Sequence, residues 1–163
     1  VDTNSAWLGE ELALAGIDHH FTTVVGDNLG RMEDVLRTAI DRSDALLFVT
    51  PEYNRSIPGA LKNAIDWASR PWGQNSFDHI PAAVIGASTG AIGTAVSQQS
   101  LRGVLSFCNA RQMTAPEAYV RYTPEIFTAD GEVTDDAMAA FLSNFMSEFR
   151  THLARVLTVI PRQ

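Results

Sequence analysis

Two loops of the chain combine aromatic, amide, hydroxyl and glycine residues in a way that could hold a flat, ring-shaped ligand. The first loop runs from Pro51 to Gly59, and the second runs from Ser88 to Gly93. Each loop follows a short apolar segment that is typical of a buried strand. Because ligands of open α/β sheets bind beyond the carboxyl ends of the strands, we predict that the two loops form one site.

The first loop is stiff and rich in groups that can contact a ring. Pro51 and Pro58 restrict its backbone, Tyr53 offers an aromatic face, and Asn54 and Ser56 offer hydrogen bonds. Main-chain N–H groups in a rigid turn suit the pyrimidine edge of a flavin, which gains negative charge on reduction. A proline-rich turn whose tyrosine packs on the surface is the alternative, and the residues leave both interpretations open.

The second loop is less specific. Ser88 and Thr89 carry hydroxyl groups, and Gly90 and Gly93 allow the backbone to approach a flat ring closely. Taken alone, this segment favours a simple turn from a strand to a helix.

Helical and strand-like segments alternate along the chain, which predicts an α/β sandwich of three layers around a parallel sheet. The predicted helices are Ser5–Ala15, Leu29–Asp41, Gly59–Ser69, a long helix ending near Phe107, and Asp135–Val156. The predicted strands are Ile17–Val25, Ala45–Thr50, Ala82–Ala87 and a last one around Met113–Ala118.

Composition narrows the class of protein. The 163 residues carry a net charge of −7, which disfavours binding to nucleic acids or anionic membranes. The length predicts one domain over residues 1–163. We find no apolar run near the roughly 20 residues of a membrane span and, at the polar N-terminus, no signal peptide. A single cysteine, Cys108, cannot form an internal disulfide, so we expect a cytoplasmic protein.

The segment PEYNRSIPGALKNAIDWASRPWG, from Pro51 to Gly73, resembles the characteristic region of the NADPH-dependent FMN reductase family. The resemblance continues through AAVIGASTGAIGTAVSQQSLRGVLSFCNARQM and covers about Thr50–Arg150. It implies a flavodoxin-like fold, FMN as cofactor and NAD(P)H as co-substrate. It also implies electron transfer to quinones, free flavin or similar acceptors, with chemistry that belongs to the cofactor rather than to a catalytic side chain.

The same resemblance implies roles for individual positions. The ring-lining positions in the two loops are Pro51, Glu52, Tyr53, Asn54, Ser56, Ile57, Ser88, Thr89 and Gly90. Arg102 and Glu117 resemble positions at a subunit contact, so a homodimer or homotetramer is implied. Trp72 lies in a segment that would pack on a neighbouring subunit.

The first fifty residues resemble a different family. Their segments DTNS, GIDHHFTTVVGDN and RSDALLFV look like the molybdopterin-binding-like domain of the competence/damage-inducible protein family. The two resemblances meet near Thr50, so we expect a chimera of residues 1–50 and 51–163. The reductase family begins with a strand and a phosphate-binding loop, and we expect the chain to lack that usual first strand.

At the start of the first predicted helix, Thr3, Asn4 and Ser5 could offer N–H groups to the FMN phosphate. A plain helix cap is the alternative for these residues. Two other functions also stay open: a flavodoxin-like scaffold with weak or no flavin binding, and a nucleotide- or molybdopterin-binding domain. No spacing of residues indicates a metal site, since His19 and His20 would face opposite sides of a strand.

Overall fold

A computed structural model describes residues 29–128 and 131–161, with side chains described from residue 34 onward. Its helices are α1 (Leu29–Asp41), α2 (Gly59–Ala68), α3 (Ala95–Phe107) and α4 (Asp136–Val159). Its strands are β1 (Leu46–Val49), β2 (Pro81–Ser88), β3 (Arg111–Gln112) and β4 (Ala118–Arg121). The predicted helix Ser5–Ala15, the predicted strand Ile17–Val25 and the question of a missing first strand lie outside the described residues.

The sheet is built around β2, and every described strand pair is parallel. On one edge of β2, β1 runs alongside it with Leu46 opposite Ala82 and Val49 opposite Ile85. On the other edge, β3 pairs with the beginning of β2 and β4 pairs with its end. All carboxyl ends therefore point to the same rim of the sheet, as the prediction of one shared site requires.

The last predicted strand, around Met113–Ala118, is wrong in its bounds. The chain pairs with β2 at Arg111–Gln112, leaves the sheet, and pairs again from Ala118. Pro116 lies between the two pairings and has no N–H group to donate to a ladder, so the strand cannot run through it. The apolar appearance of this segment comes instead from Met113 and Ala118, which are buried.

Helices cover both faces of the sheet, which confirms the three-layer prediction. Leu46 and Phe48 of β1 pack on the side where buried residues of α1, α2 and α3 lie: Ile40, Ile65, Leu101 and Leu105. Leu47, between them, packs on the opposite side with Phe145 and Phe149 of α4. This alternation explains why the predicted strand Ala45–Thr50 is apolar on both faces.

The long last helix begins where its cap predicts. The Asp135 carboxylate accepts a hydrogen bond from the Met138 N–H at 2.7 Å, which satisfies one of the free donors of the first turn. The helix ends three residues beyond the predicted Val156. Within the described ranges, no helix has the length and apolarity needed to cross a membrane.

Internal contacts divide the chain into Val1–Met32 and Glu33–Gln163. The sheet, its two apolar clusters and the site described below all belong to the second of these units. One domain over residues 1–163 therefore stays a prediction.

Candidate cofactor-binding site

The two predicted loops leave neighbouring strands and lie side by side. Val49, the last residue of β1, pairs with Ile85 of β2, and the Thr50 N–H donates to the Ile85 carbonyl at 3.0 Å. The first loop begins directly after this bond, and the second begins at the end of β2. The two loops are about 30 residues apart in the sequence. The parallel pairing of β1 with β2 places them next to each other in space.

A tight turn shapes the first loop. The Tyr53 N–H donates to the Ser56 carbonyl at 2.9 Å, and the Ser56 N–H donates back to the Tyr53 carbonyl at 3.0 Å. Asn54 and Arg55, at the tip, both have positive φ, at 50° and 65°. Two successive positive φ angles are characteristic of a two-residue type I′ turn, for which asparagine is a favoured first residue. The turn leaves the Tyr53 ring 61% exposed.

This geometry decides which main-chain donors of the first loop remain for a ligand. The N–H groups of Tyr53 and Ser56 are used within the turn. Among the described residues, none accepts a hydrogen bond from the main-chain N–H groups of Asn54, Arg55 or, in the second loop, Thr89. These three donors stand at the rim, where a ring with carbonyl oxygens would need them.

Glu52 ties the first loop to the helix that follows the second. Its Oε2 atom accepts hydrogen bonds from the N–H groups of Val96 and Ser97, each at 3.1 Å. The Ser97 hydroxyl also donates to the Pro51 carbonyl at 3.1 Å. The Glu52 carboxylate therefore contacts the chain itself. Sequence reasoning missed this contact, because its partners are backbone groups that carry no sequence pattern.

Gly86 makes the close approach of the two loops possible. A Cβ atom added there would lie 2.1 Å from the Thr50 carbonyl oxygen and 2.6 Å from the Thr94 hydroxyl oxygen. Only glycine leaves that space free. A glycine inside an otherwise apolar strand is itself a sequence indication of close backbone approach, although it did not enter the prediction.

The second loop folds back on its own first residue. The Gly90 N–H donates to the Ser88 hydroxyl at 3.2 Å, and the Gly93 N–H donates to the Gly90 carbonyl at 3.0 Å. Gly93 has a φ of 56°, and a Cβ atom there would lie 2.8 Å from the Tyr119 carbonyl carbon. A Cβ at Gly90 would make only an ordinary contact of 3.5 Å, so Gly93, rather than Gly90, needs to be glycine.

A third loop reaches the same rim, which the sequence did not predict. The Tyr122 N–H, just after β4, donates to the Ser88 carbonyl at 2.9 Å. The Tyr122 ring stacks on Phe127 with centroids 5.6 Å apart and planes 16° from parallel. Tyr53 and Tyr122 therefore stand on the loops that flank the second loop, both partly exposed.

The predicted ring-lining residues divide into two groups. Those at the rim are exposed (Pro51, Tyr53, Asn54, Ser56, Thr89 and Gly90) or half-buried (Glu52 and Ser88). The Ile57 side chain is buried in the apolar cluster with Ile65 and Phe77, so it anchors the loop. Thr3, Asn4 and Ser5, the predicted phosphate contacts, lie outside the described residues.

Arg102 and Glu117 lie on neighbouring elements, α3 and the segment before β4. The Arg102 Nη1 donates to the Met113 carbonyl at 2.8 Å, while its Nε and Nη2 are buried and meet no acceptor among the described residues. Glu117 is exposed and accepts from the Gln99 amide at 3.3 Å. Burial and a hydrogen bond to Glu117 raise the pKa of the nearby Tyr119 hydroxyl.

A cavity of about 560 Å³ opens elsewhere, where α2 and α3 end. Arg70, Trp72, Asp78, Phe107 and Cys108 are among its lining residues, and none of the predicted ring-lining residues is. Both basic and acidic side chains line this cavity, so its charge favours neither an anionic nor a cationic ligand. Cys108 is buried, and burial raises the pKa of its thiol. No group of metal-ligating side chains occurs in the described part of the chain.

Comparison with known proteins supports the resemblance of the loop region. A profile described as NADPH-dependent FMN reductase matches residues 13–125. The chain is 48% identical over 107 residues to 2-hydroxy-1,4-benzoquinone reductase of a Burkholderia species, covering 66% of this chain and 58% of that protein. It is 46% identical over 113 residues to a quinone reductase of Pseudomonas putida, covering 69% and 60%.

A solved structure agrees over a larger share of the chain. FerB, described as a flavoenzyme NAD(P)H:(acceptor) oxidoreductase from Paracoccus denitrificans, is 40% identical with a TM-score of 0.79. The alignment covers 94% of this chain and 90% of FerB.

The parallel sheet with helices on both faces, together with loops gathered at its carboxyl rim, defines a flavodoxin-like α/β protein. The chain belongs to the NADPH-dependent FMN reductase family. It spans 58% and 60% of the length of the two curated relatives above. The family match begins at residue 13 and extends past Thr50, so the comparisons give no support to a junction there or to a molybdopterin-binding origin of residues 1–50.

Proposed function

We propose that this chain is an NAD(P)H-dependent FMN reductase that passes electrons to quinones or related small acceptors. The observation that carries the proposal is the convergence of two loops on one rim, with unpaired main-chain donors at Asn54, Arg55 and Thr89. Family membership and relatives named for quinone reduction support the same conclusion.

The residues at the rim fit FMN. Main-chain N–H groups suit the carbonyl oxygens of the isoalloxazine ring, and an exposed Tyr53 ring offers a stacking face. Glu52, the acidic residue of the loop, directs one carboxylate oxygen to two N–H groups at the N-terminus of α3, whose partial positive charge offsets part of its negative charge. When bound, FMN supplies the hydride chemistry.

In this proposal, residues of the chain bind the isoalloxazine ring and orient it. Pro51, Tyr53 and Asn54 hold one side of the ring, and Ser88, Thr89 and Gly90 hold the other. Glu52 and Ile57 fix the first loop to the protein rather than touching the ring with their side chains. Thr3, Asn4 and Ser5 remain the proposed phosphate contacts.

We also propose that the chain works as a homodimer or homotetramer with Arg102 and Glu117 near the contact. Arg102 is only partly buried and Glu117 is exposed, so surface at both residues is open to a second copy of the chain. Exposed aromatic residues at the ends of α2 and α3, Trp67, Trp72 and Phe107, give further surface of the kind found at subunit interfaces. Arg102→Ala is expected to shift sedimentation towards a smaller species, and an unchanged profile would count against this contact.

A cytoplasmic site of action fits the proposal, because Cys108 is a free and buried thiol.

Activity is tested with FMN-loaded protein and a benzoquinone as the acceptor. We expect NADH or NADPH oxidation, followed by absorbance at about 340 nm, to depend on both FMN and quinone. Protein that binds FMN but oxidises no nicotinamide would overturn the reductase assignment. Protein that stays colourless after FMN addition would instead favour the scaffold interpretation.

A further inference from the structure

We infer that Glu52 is a positioning residue, whose carboxylate closes the N-terminus of α3 and thereby holds the ring-binding loop in place. The inference rests on the proposed function for its effect on FMN, and on geometry alone for its effect on the helix. Glu52 is one of the positions that the family resemblance places at the ring, largely through backbone groups, and its side-chain Oε2 accepts hydrogen bonds from the N–H groups of Val96 and Ser97 at 3.1 Å.

The helix needs this partner. Its local N-cap, Thr94, makes no side-chain capping bond, and its first turn contains no acidic residue. Val96 and Ser97 are the second and third residues after the cap, the positions whose N–H groups a capping side chain normally satisfies. Glu52 supplies that acceptor from a loop more than forty residues earlier in the sequence.

The charge of Glu52 matches the place it occupies. A helix N-terminus carries partial positive charge and is a natural binding site for anions, phosphate groups included. The carboxylate fills that position, and its side chain is only 10% exposed. The Arg55 guanidinium lies 3.5 Å from Oε1, the other oxygen of the Glu52 carboxylate. Because the Arg55 side chain is 69% exposed, this ion pair contributes little to stability. The N-terminus of α3 is therefore closed to the phosphate of FMN.

The same contacts fix the geometry of the rim. The Ser97 hydroxyl donates a hydrogen bond to the Pro51 carbonyl, so α3 contacts the loop at both Pro51 and Glu52. Tyr53 and the donors of Asn54 and Arg55 follow directly. Release of Glu52 would let the turn move relative to Ser88, and misplacement by about 1 Å is enough to weaken a preorganised site.

Glu52→Ala provides the test, with Asp135→Ala as a matched control. Both substitutions remove a carboxylate that caps a helix, but Asp135 caps its own helix, α4, through the Met138 N–H, whereas Glu52 caps a helix from the ring-binding loop. We expect Glu52→Ala to weaken FMN binding at least about tenfold, since bonds to a charged acceptor are lost. Asp135→Ala should lower the melting temperature without changing FMN affinity.

Chemical rescue separates positioning from a general loss of stability. Acetate or formate can enter the vacated N-terminus in Glu52→Ala, so FMN affinity should recover by about threefold or more at constant ionic strength. Neither anion should change the affinity of the wild-type protein or of Asp135→Ala. If Glu52→Ala does not fold, Glu52→Gln replaces it, because its amide oxygen can still accept one of the bonds and should give an intermediate affinity.

The outcomes are distinct. Unchanged FMN affinity in Glu52→Ala, or an equal loss in Asp135→Ala, would overturn the inference. Wild-type protein that binds no FMN would refute the proposed function instead, while anion-dependent stabilisation of Glu52→Ala would still report on the closed helix end.

Discussion

Gly86→Ala is expected to damage both the fold and the cofactor site, because the added methyl group has no space. The new Cβ atom would lie 2.1 Å from the Thr50 carbonyl oxygen, whereas Cβ contacts under 3.0 Å are essentially never seen. The oxygen must therefore retreat by about 0.9 Å, and the Thr94 hydroxyl, at 2.6 Å, must also move.

The cost of this movement has two sources. Overpacking of a close-packed site costs about 1–3 kcal/mol. Displacement of Thr50 also weakens the bond from its N–H to the Ile85 carbonyl, which is worth about 1 kcal/mol. A loss of roughly 2–4 kcal/mol corresponds to a fall in melting temperature of roughly 5–15 °C for a chain of this size.

Gly103→Ala is the matched control. Gly103 lies inside α3, is exposed, and would place its Cβ atom in open space. Alanine is a better helix former by about 1 kcal/mol, so this variant should melt slightly above the wild type.

Thermal unfolding by circular dichroism and FMN titration should be measured on the two variants and the wild type. Because Thr50 leads directly into the ring-binding loop, we expect Gly86→Ala to bind FMN at least about tenfold more weakly, and Gly103→Ala to bind it normally. A Gly86→Ala protein with wild-type melting and wild-type affinity would refute the close approach of the two loops.

Three further predictions concern single side chains. Tyr53→Ala should weaken FMN binding by about 1 kcal/mol through loss of an aromatic stacking face, and unchanged affinity in a fluorescence titration would contradict the placement of the ring. Asn75→Ala should lower stability by about 1–3 kcal/mol in denaturant unfolding, because its amide binds the Cys108 carbonyl at 2.7 Å and its oxygen accepts from the Phe77 N–H. Burial raises the pKa of the Cys108 thiol, so the unfolded chain ionises first and stability should fall from about pH 8.5 upward; Cys108→Ala should flatten that part of the pH profile.

Apolar patterning was enough to predict most of the described fold. Strand β1 follows from a segment that is apolar on both faces, and α4, predicted over Asp135–Val156, carries phenylalanines at helical spacing, of which Phe145 and Phe149 are buried. The exception was the segment around Pro116, where apolar residues suggested one strand and a missing N–H group interrupts it. In an apolar segment, residue types therefore predicted which side chains are buried better than they predicted which backbone groups pair within the sheet.

The sequence was enough to predict which loops form the site, but not which hydrogen bonds those loops make. Pairing of parallel strands places Pro51 and Ser88 at one rim, which follows from topology. The role of Glu52 depends on the N–H groups of Val96 and Ser97, and backbone donors have no residue type by which a sequence could indicate them. The positive φ of Arg55 was likewise invisible, although asparagine before it is a common start of such turns.

Titration of the wild-type chain with FMN, followed by quenching of flavin fluorescence, tests the central claim most directly. We expect saturable binding near one FMN per chain, weakened in Tyr53→Ala and in Gly86→Ala. Fluorescence that stays that of free FMN throughout the titration would contradict the claim that the two loops grip a flavin at the rim of the sheet.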